Sequence, residues 1–398
     1  MKDYHNLLYW LTPFFLYNLI YTNINEERLA IFYHQKRQYE QASYYYKQAL
    51  IDNPHKNALL FNFSLVCNEL GKFDQSQQLL ETILQQHPAH KYAKKKLVLH
   101  YLRNKEWKKA LPLLMVDDYW WYNEDISSQQ IIIQHDGGLG DVIQFLRYAK
   151  RLHEAGAFII METPAALMPL LSRCSFIDQL ILQGGPLPIA DKQYIVSTPR
   201  LAYIMRDTLN NPSFDVPYLT ADPELIAYWR KQLATDKQFK IGLCWQSSIM
   251  RDQTGTIIPN PRSISLAQFA SLAQIPGLSF YSLQQINGTD QLSRLPQHFV
   301  IHEFGPHFDQ QHGRFMDTAA VMKNLDLVIT VDTSIAHLAG ALGVPVWVLL
   351  PTMSDFRWFH DDTDSPWYPT MHLFRQQEYN HWEHVIQEIV HLLKNVLA

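Results

Sequence analysis

The chain has 398 residues with 34 basic and 38 acidic side chains, a formal charge of −4. That balance excludes a polyanion-binding surface built on net charge, and so argues against a nucleic-acid partner. Hydrophobic residues make up 47% and aromatic residues 13%, enough for the cores of two or three domains at roughly 150 residues each.

The first feature along the chain is the apolar stretch from Leu7 to Tyr21, interrupted by Pro13 and Asn18. It is short for a membrane span and has no small-residue cleavage site after it. The expectation is a packed or partner-binding helix over 1–25, with peripheral contact at the inner membrane as a further role. Cys67, Cys174 and Cys244 lie far apart and read as buried free thiols in a reducing, cytoplasmic compartment.

Residues 26–125 repeat with a period of 34. Tyr39, Phe73 and Trp107 share one phase, Ala42, Ser76 and Ala110 another, and Pro54 and Pro88 close successive units. An aromatic residue three positions before a small one lets antiparallel helices approach closely. This is the tetratricopeptide pattern of stacked helical hairpins, which offers a surface to a protein partner or to a second copy.

From residue 129 short apolar runs alternate with amphipathic helices, the signature of parallel sheets with helical crossovers. One half spans 129–235 and a second 238–398, joined by a helix that Asp222 caps and Pro223 starts. The last helix, "NHWEHVIQEIVHLLKNVL", is expected to pack back across the pair. Ligands of such folds sit at the carboxyl ends of strands, here in the cleft between halves.

Two segments stand at such ends. "QHDGGLGDVIQF" (Gln134 to Phe145) places Gly137, Gly138 and Gly140 between a strand and a helix, with Asp141 where a phosphate loop would carry lysine. "VITVDTSIAHLAGALGVPVWVLLP" (Val328 to Pro351) runs a buried strand into Asp332, Thr333 and Ser334 at a helix start, with His337 one turn on. Hydroxyls beside a helix N-terminus make an anion cradle suited to a diphosphate.

These segments, with "SLQQ", "DTAAVMKNLDL" and "RWFHDDTDSPWYPTMHLFRQ", resemble the tetratricopeptide-containing members of glycosyltransferase family 9, the heptosyltransferase-like proteins, over residues 130 to 395. The resemblance implies a GT-B fold: two doubly wound Rossmann-like domains, the first for the acceptor and the second for the donor. It implies inverting, metal-independent transfer of a sugar from a nucleoside diphosphate, ADP-heptose by family default, to a glycan or protein acceptor. No cofactor is implied beyond the nucleotide sugar.

On this resemblance Asp141 is the general base. Asp332, Thr333, Ser334 and His337 hold the diphosphate, with Gln284, Asp317 and Thr318 at the nucleoside. Arg262 assists the leaving group, and Gly137, Gly138, Gly140 and Gln144 form the acceptor loop, whose glycines admit a bulky acceptor. The stretch "CWQSSIMRDQTGTIIPNPRSI" is longer than its counterpart in the family and leaves the roles of Ser247, Ser248, Arg251 and Arg262 open. Alternative readings are a non-catalytic repeat scaffold with a degenerate GT-B module, and a nucleotide-sugar epimerase or hydrolase.

Asp362 to Asp364 imitate a metal-binding DxD, and His302, His307 and His312 recur every five residues. Both read as structural rather than metal-binding. Trp358, Trp367 and Tyr368 suit either stacking on a ligand or packing.

Overall fold

The computed structural model describes residues 25–114, 125–188, 193–198, 201, 216–251, 255–359 and 362–397. The apolar segment Leu7–Tyr21 lies outside them. The described chain divides into two compact units, the first ending before residue 117 but including Asp355–Phe359, the second holding the rest.

The first unit is three helical hairpins: α1 (Glu26–Gln35) with α2 (Tyr39–Asp52), α3 (Asn57–Glu69) with α4 (Phe73–Gln86), and α5 (Lys91–Arg103) with α6 (Trp107–Leu114). The 34-residue period has direct counterparts. Tyr39, Phe73 and Trp107 each open the second helix of a hairpin, and Ala42, Ser76 and Ala110 are fully buried where the helices meet. Ser76 donates from Oγ to the Ser64 carbonyl at 2.8 Å and meets His100 Nε2 at 3.1 Å.

The turns repeat as well. Arg37, Gly71 and Lys105, each 34 residues apart, adopt left-handed backbone with φ of 58, 69 and 60°. A tight turn between antiparallel helices imposes this conformation whatever the residue, and only Gly71 adopts it without steric cost. Inside this unit the Asp355–Phe359 segment is also packed, with Trp358 fully buried and Lys105 Nζ 4.8 Å from the Phe359 ring centroid.

The second unit contains two all-parallel sheets. Strand β1 (Gln130–Gln134) leads through the glycine loop into α7 (Leu139–Glu154), and β2 (Phe158–Thr163) follows. The next crossover is a 3-10 turn with the single-turn α8 (Met168–Leu171), before β3 (Gln179–Leu182) and β4 (Gln193–Ser197). The strand order is β3-β2-β1-β4.

The connecting helix α9 (Pro223–Leu233) starts as expected, with Asp222 Oδ1 accepting from Glu224 N and Leu225 N. The second half comprises β5 (Phe239–Cys244), the short hairpin β6 (Met250–Arg251) and β7 (Ile257–Ile258), β8 (Leu278–Ser282), β9 (Ile301–His302) and α10 (Met316–Met322). It continues with β10 (Leu327–Val331), α11 (Ser334–Ala341), β11 (Val346–Leu350), β12 (Met371–Arg375) and α12 (Glu383–Leu397). Its six-stranded sheet has the order β12-β11-β10-β5-β8-β9.

Both sheets therefore reverse direction at one place: between β1 and β4 in the first, between β5 and β10 in the second. The loops after β1, β5 and β10 open at these switch points, where a ligand can reach strand ends without meeting a crossover. The two halves form one unit, a doubly wound pair of the GT-B kind.

The segment after Ser265 forms a 3-10 helix over Leu266–Gln274. The buried residues of α12, Val385, Ile386, Ile389 and Leu393, join the core of the second sheet with Ile241, Leu349 and Phe374. The expectation of three buried thiols is corrected at one of them. Cys67 and Cys244 are buried free thiols, while Cys174 is partly exposed. Among the described residues no helix is long and apolar enough to cross a membrane.

Replacing Gly71 by Ala tests the turn argument. The added methyl has no heavy atom within 4 Å, so its cost is the backbone conformation alone, about 1–2 kcal/mol. The expected outcome is a lower Tm of the repeat unit; an unchanged Tm would mean the turn relaxes freely.

Candidate active site

The first sheet's switch point is built by backbone geometry. Ile131, Ile132 and Ile133 are fully buried and fix β1; the chain then turns at Gly137, whose φ is +96°. A Cβ on Gly137 would stand 2.5 Å from Asp141 Oδ2, so glycine is required by conformation and by space. Asp141, in the first turn of α7, folds back over this loop and accepts from Gly138 N at 2.6 Å. Thr198, at the end of β4, ties the loop down: its Oγ1 accepts from Asp136 N at 3.2 Å and donates to the Gln134 carbonyl at 2.9 Å.

The second switch point gathers polar groups at the start of α11. Strand β10 is buried throughout and ends at Asp332, itself 4% exposed. Thr333 caps α11, its Oγ1 accepting from Ile335 N at 3.2 Å. Arg262 Nη1 approaches Asp332 Oδ2 at 3.6 Å, an ion pair with one exposed and one buried member. Cys244, at the end of β5, lies 3.8 Å from Thr333 Oγ1, and burial pushes its thiol up to about 11.

The long stretch after β5 folds back on itself rather than replacing the site. Ile264 N donates to the Trp245 carbonyl, Ser247 N to Ser263 Oγ, and Asn260 Nδ2 to the Ser248 carbonyl. Asn260 Oδ1 also accepts from Arg262 N at 3.0 Å. The insertion thereby carries Arg262 to Asp332, while Arg251 spends a donor on Gly255 in the projecting hairpin.

Gln284 does not present its amide to the cleft. Oε1 accepts from Trp245 N and Gln246 N, and Nε2 donates to the Gln246 carbonyl, so it staples the loop after β5. Asp317 and Thr318, expected at the nucleoside, are 2% and 0% exposed. Asp317 accepts from Trp229 Nε1 and Asp309 N, and Thr318 donates to Asp309. They join α9 to α10 in a buried network in which burial raises the Asp309 carboxyl above its ordinary value.

Gln144 is also fully buried, inside α7, and lines no acceptor surface. Gly140 stands where two helices pack closely. A Cβ there would meet His337 Cδ2 at 2.7 Å and Ser334 Cα at 3.5 Å, so α7 and α11 touch at their first turns. His337 is 2% exposed and pairs through Nδ1 with the Tyr368 hydroxyl at 3.0 Å. It lies between the halves, where α7 and α11 meet.

Trp367 and Tyr368 are buried and pack rather than stack on a ligand, as does Trp358 in the first unit. Asp364 meets His372, and His312 meets Asp317. Among the described residues no group of three or more His, Cys, Asp or Glu is arranged to hold a metal.

Sequence reasoning missed Arg147, Tyr218 and Gly340, which with Tyr368 join the two helices. A Cβ on Gly340 would lie 2.5 Å from the Tyr368 ring. The run of small residues in "SIAHLAGALG" was the available signal, since a helix without bulk on one face admits a close neighbour.

Residues 33–97 match the tetratricopeptide-repeat family model. Protein FlbA of Caulobacter vibrioides is 23% identical over 310 residues, which cover 72% of this chain and 50% of FlbA. The chain thus spans about half the length of that curated relative.

Among solved structures, a glycosyl transferase family 9 protein from Veillonella parvula matches with a TM-score of 0.48 and 14% identity, covering 68% of this chain and 90% of its own. The E. coli ADP-heptose lipopolysaccharide heptosyltransferase II gives 0.44 and 14%, covering 68% and 100%. An O-GlcNAc transferase from Thermobaculum terrenum covers 85% of this chain and 78% of its own, at 0.31 and 14%.

Gly340→Ala is expected to force the Tyr368 ring aside and to destabilise the second unit by about 1–3 kcal/mol, the usual penalty of overpacking. Thermal unfolding measures it; a Tm equal to wild type would show that the ring moves without cost.

Proposed function

We propose that the chain is a glycosyltransferase that moves a sugar from a nucleoside diphosphate to an acceptor hydroxyl. The observation that carries this reading is the contact of Gly140 with Ser334 and His337, which sets two helix N-termini side by side. One bears the Asp141 carboxylate and the other the Thr333–Ser334 cradle with Arg262. A base and an anion-holding helix end within one cleft are what an in-line displacement at an anomeric carbon needs.

In this reading Asp141 takes the proton of the acceptor hydroxyl. The acceptor oxygen forms a bond to the anomeric carbon as the bond from that carbon to the diphosphate oxygen breaks. The electron pair leaves with the diphosphate, which the α11 N-terminus and Arg262 stabilise. Configuration inverts, and no metal is needed because backbone dipole and guanidinium neutralise the charge. The donor is an ADP-sugar of the heptose type on the family resemblance, the acceptor a glycan or protein. The repeats recruit the acceptor or a second copy, in the cytoplasm or against the inner membrane.

A second reading is favoured by one hydrogen bond. The 2.6 Å contact of Asp141 with Gly138 N is also what a purely structural helix cap would make, leaving a scaffold whose repeats bind partners. Asp141→Asn separates the two readings, since asparagine keeps the cap but cannot act as a base. Nucleoside-diphosphate release from ADP-, UDP- and GDP-sugars in the presence of acceptor is expected to fall about 10²- to 10⁴-fold, with diphosphate binding retained. Full turnover in Asp141→Asn would remove the base assignment.

A further inference from the structure

We infer that Arg147 is a positioning residue that locks the two halves of the α/β unit in one register, holding Asp141 level with the anion cradle. Arg147 is 3% exposed, and its guanidinium is shared among segments from both halves. Nε donates to the Gln144 carbonyl of its own helix at 2.8 Å, and Nη1 to the Trp367 carbonyl at 2.7 Å. Nη2 reaches the Tyr218 hydroxyl at 3.2 Å. The cation also stands over the rings of Tyr368 and Tyr218, 4.5 and 4.8 Å from their centroids.

Each partner is fastened in turn. The Tyr218 hydroxyl donates to the Ile143 carbonyl on α7 at 2.9 Å, while Tyr218 N and Leu219 N donate to the Ala341 carbonyl at the end of α11. Tyr368 pairs with His337 and lies flat against Gly340 on α11.

Two levels of contact result. At the first, Gly140 meets Ser334 and His337; at the second, Arg147 meets Tyr368, which covers Gly340. Arg147 lies seven residues beyond Gly140, about 10.5 Å along α7, and Gly340 six beyond Ser334, about 9 Å along α11. Contact at two separated levels fixes both the sliding and the rotation of α7 against α11. A hinge between the halves would have to strip a buried guanidinium of its carbonyl and phenol partners, which is strongly unfavourable. The register is therefore set before any ligand arrives.

The kinetic consequence rests on the glycosyl-transfer reading; the structural one does not. Spin labels at Glu154→Cys on α7 and Arg294→Cys in the second half, in a full-length Cys174→Ser background, report the separation of the halves by double electron–electron resonance. One narrow distance distribution is expected, unchanged by millimolar ADP, and Arg147→Met is expected to broaden or split it. A wild-type distribution with two populations, one that shifts with ADP, or a variant indistinguishable from wild type would overturn the lock.

Where Arg147→Met fails to fold, Tyr218→Phe, which deletes the hydroxyl that meets Arg147 Nη2 and the Ile143 carbonyl, supplies the same comparison. In turnover, Arg147→Lys is expected to lose about 10²-fold in kcat through misplacement of the reacting groups. Its Kd for ADP stays unchanged, since the cradle lies wholly in the second half. A parallel loss in Kd and kcat would mark general destabilisation instead. Absence of turnover in the wild type would defeat the transfer reading and leave the distance result standing.

Discussion

The close approach of α7 and α11 at Gly140 is the constraint on which the rest of the site depends. No side chain larger than hydrogen fits between that Cα and the His337 ring, so the two helices meet at backbone distance. Each follows a buried strand that ends at a sheet's switch point. Bringing the helix starts together therefore also brings the two switch points to one cleft. Asp141 and the Thr333–Ser334 turn come from segments almost 200 residues apart, and one missing methyl group sets their separation.

The supporting residues act on loops. Gln284 staples the turn after β5, Thr198 the turn after β1, and Asn260 the base of the insertion that delivers Arg262. Asp317 and Thr318 sit one step further back, tying the connecting helix to α10. Several residues of family-like motifs thus hold the loops that hold the site. Such positions are hard to tell from ligand contacts in a sequence, because polar residues near strand ends serve both purposes.

The fold was legible where one physical signal dominates. The 34-residue period marks helical hairpins because the crossing of two helices admits only a small residue, and Ala42, Ser76 and Ala110 are fully buried there. Alternation of apolar runs and amphipathic stretches marked the parallel sheets because buried strands need no polar face. The paired helix starts were legible as glycine loop and "DTS". The Arg147 cluster was not, since its members come from α7, the linker and the loop after β11, and only the folded chain brings them together. For His337 helical spacing places the ring one turn from Thr333 but does not say which neighbour covers it. The left-handed turns at Arg37 and Lys105 were equally silent, as only Gly71 announces the conformation.

The central claim is that the α11 N-terminus, with Thr333, Ser334 and Arg262, binds a nucleoside diphosphate. Calorimetric titration of the full chain with ADP, UDP and GDP tests it most directly. One diphosphate should bind, and Arg262→Ala should weaken it by about 10- to 150-fold, the equivalent of one charge-assisted hydrogen bond. No heat with any of the three, or equal affinity in Arg262→Ala, would contradict the account.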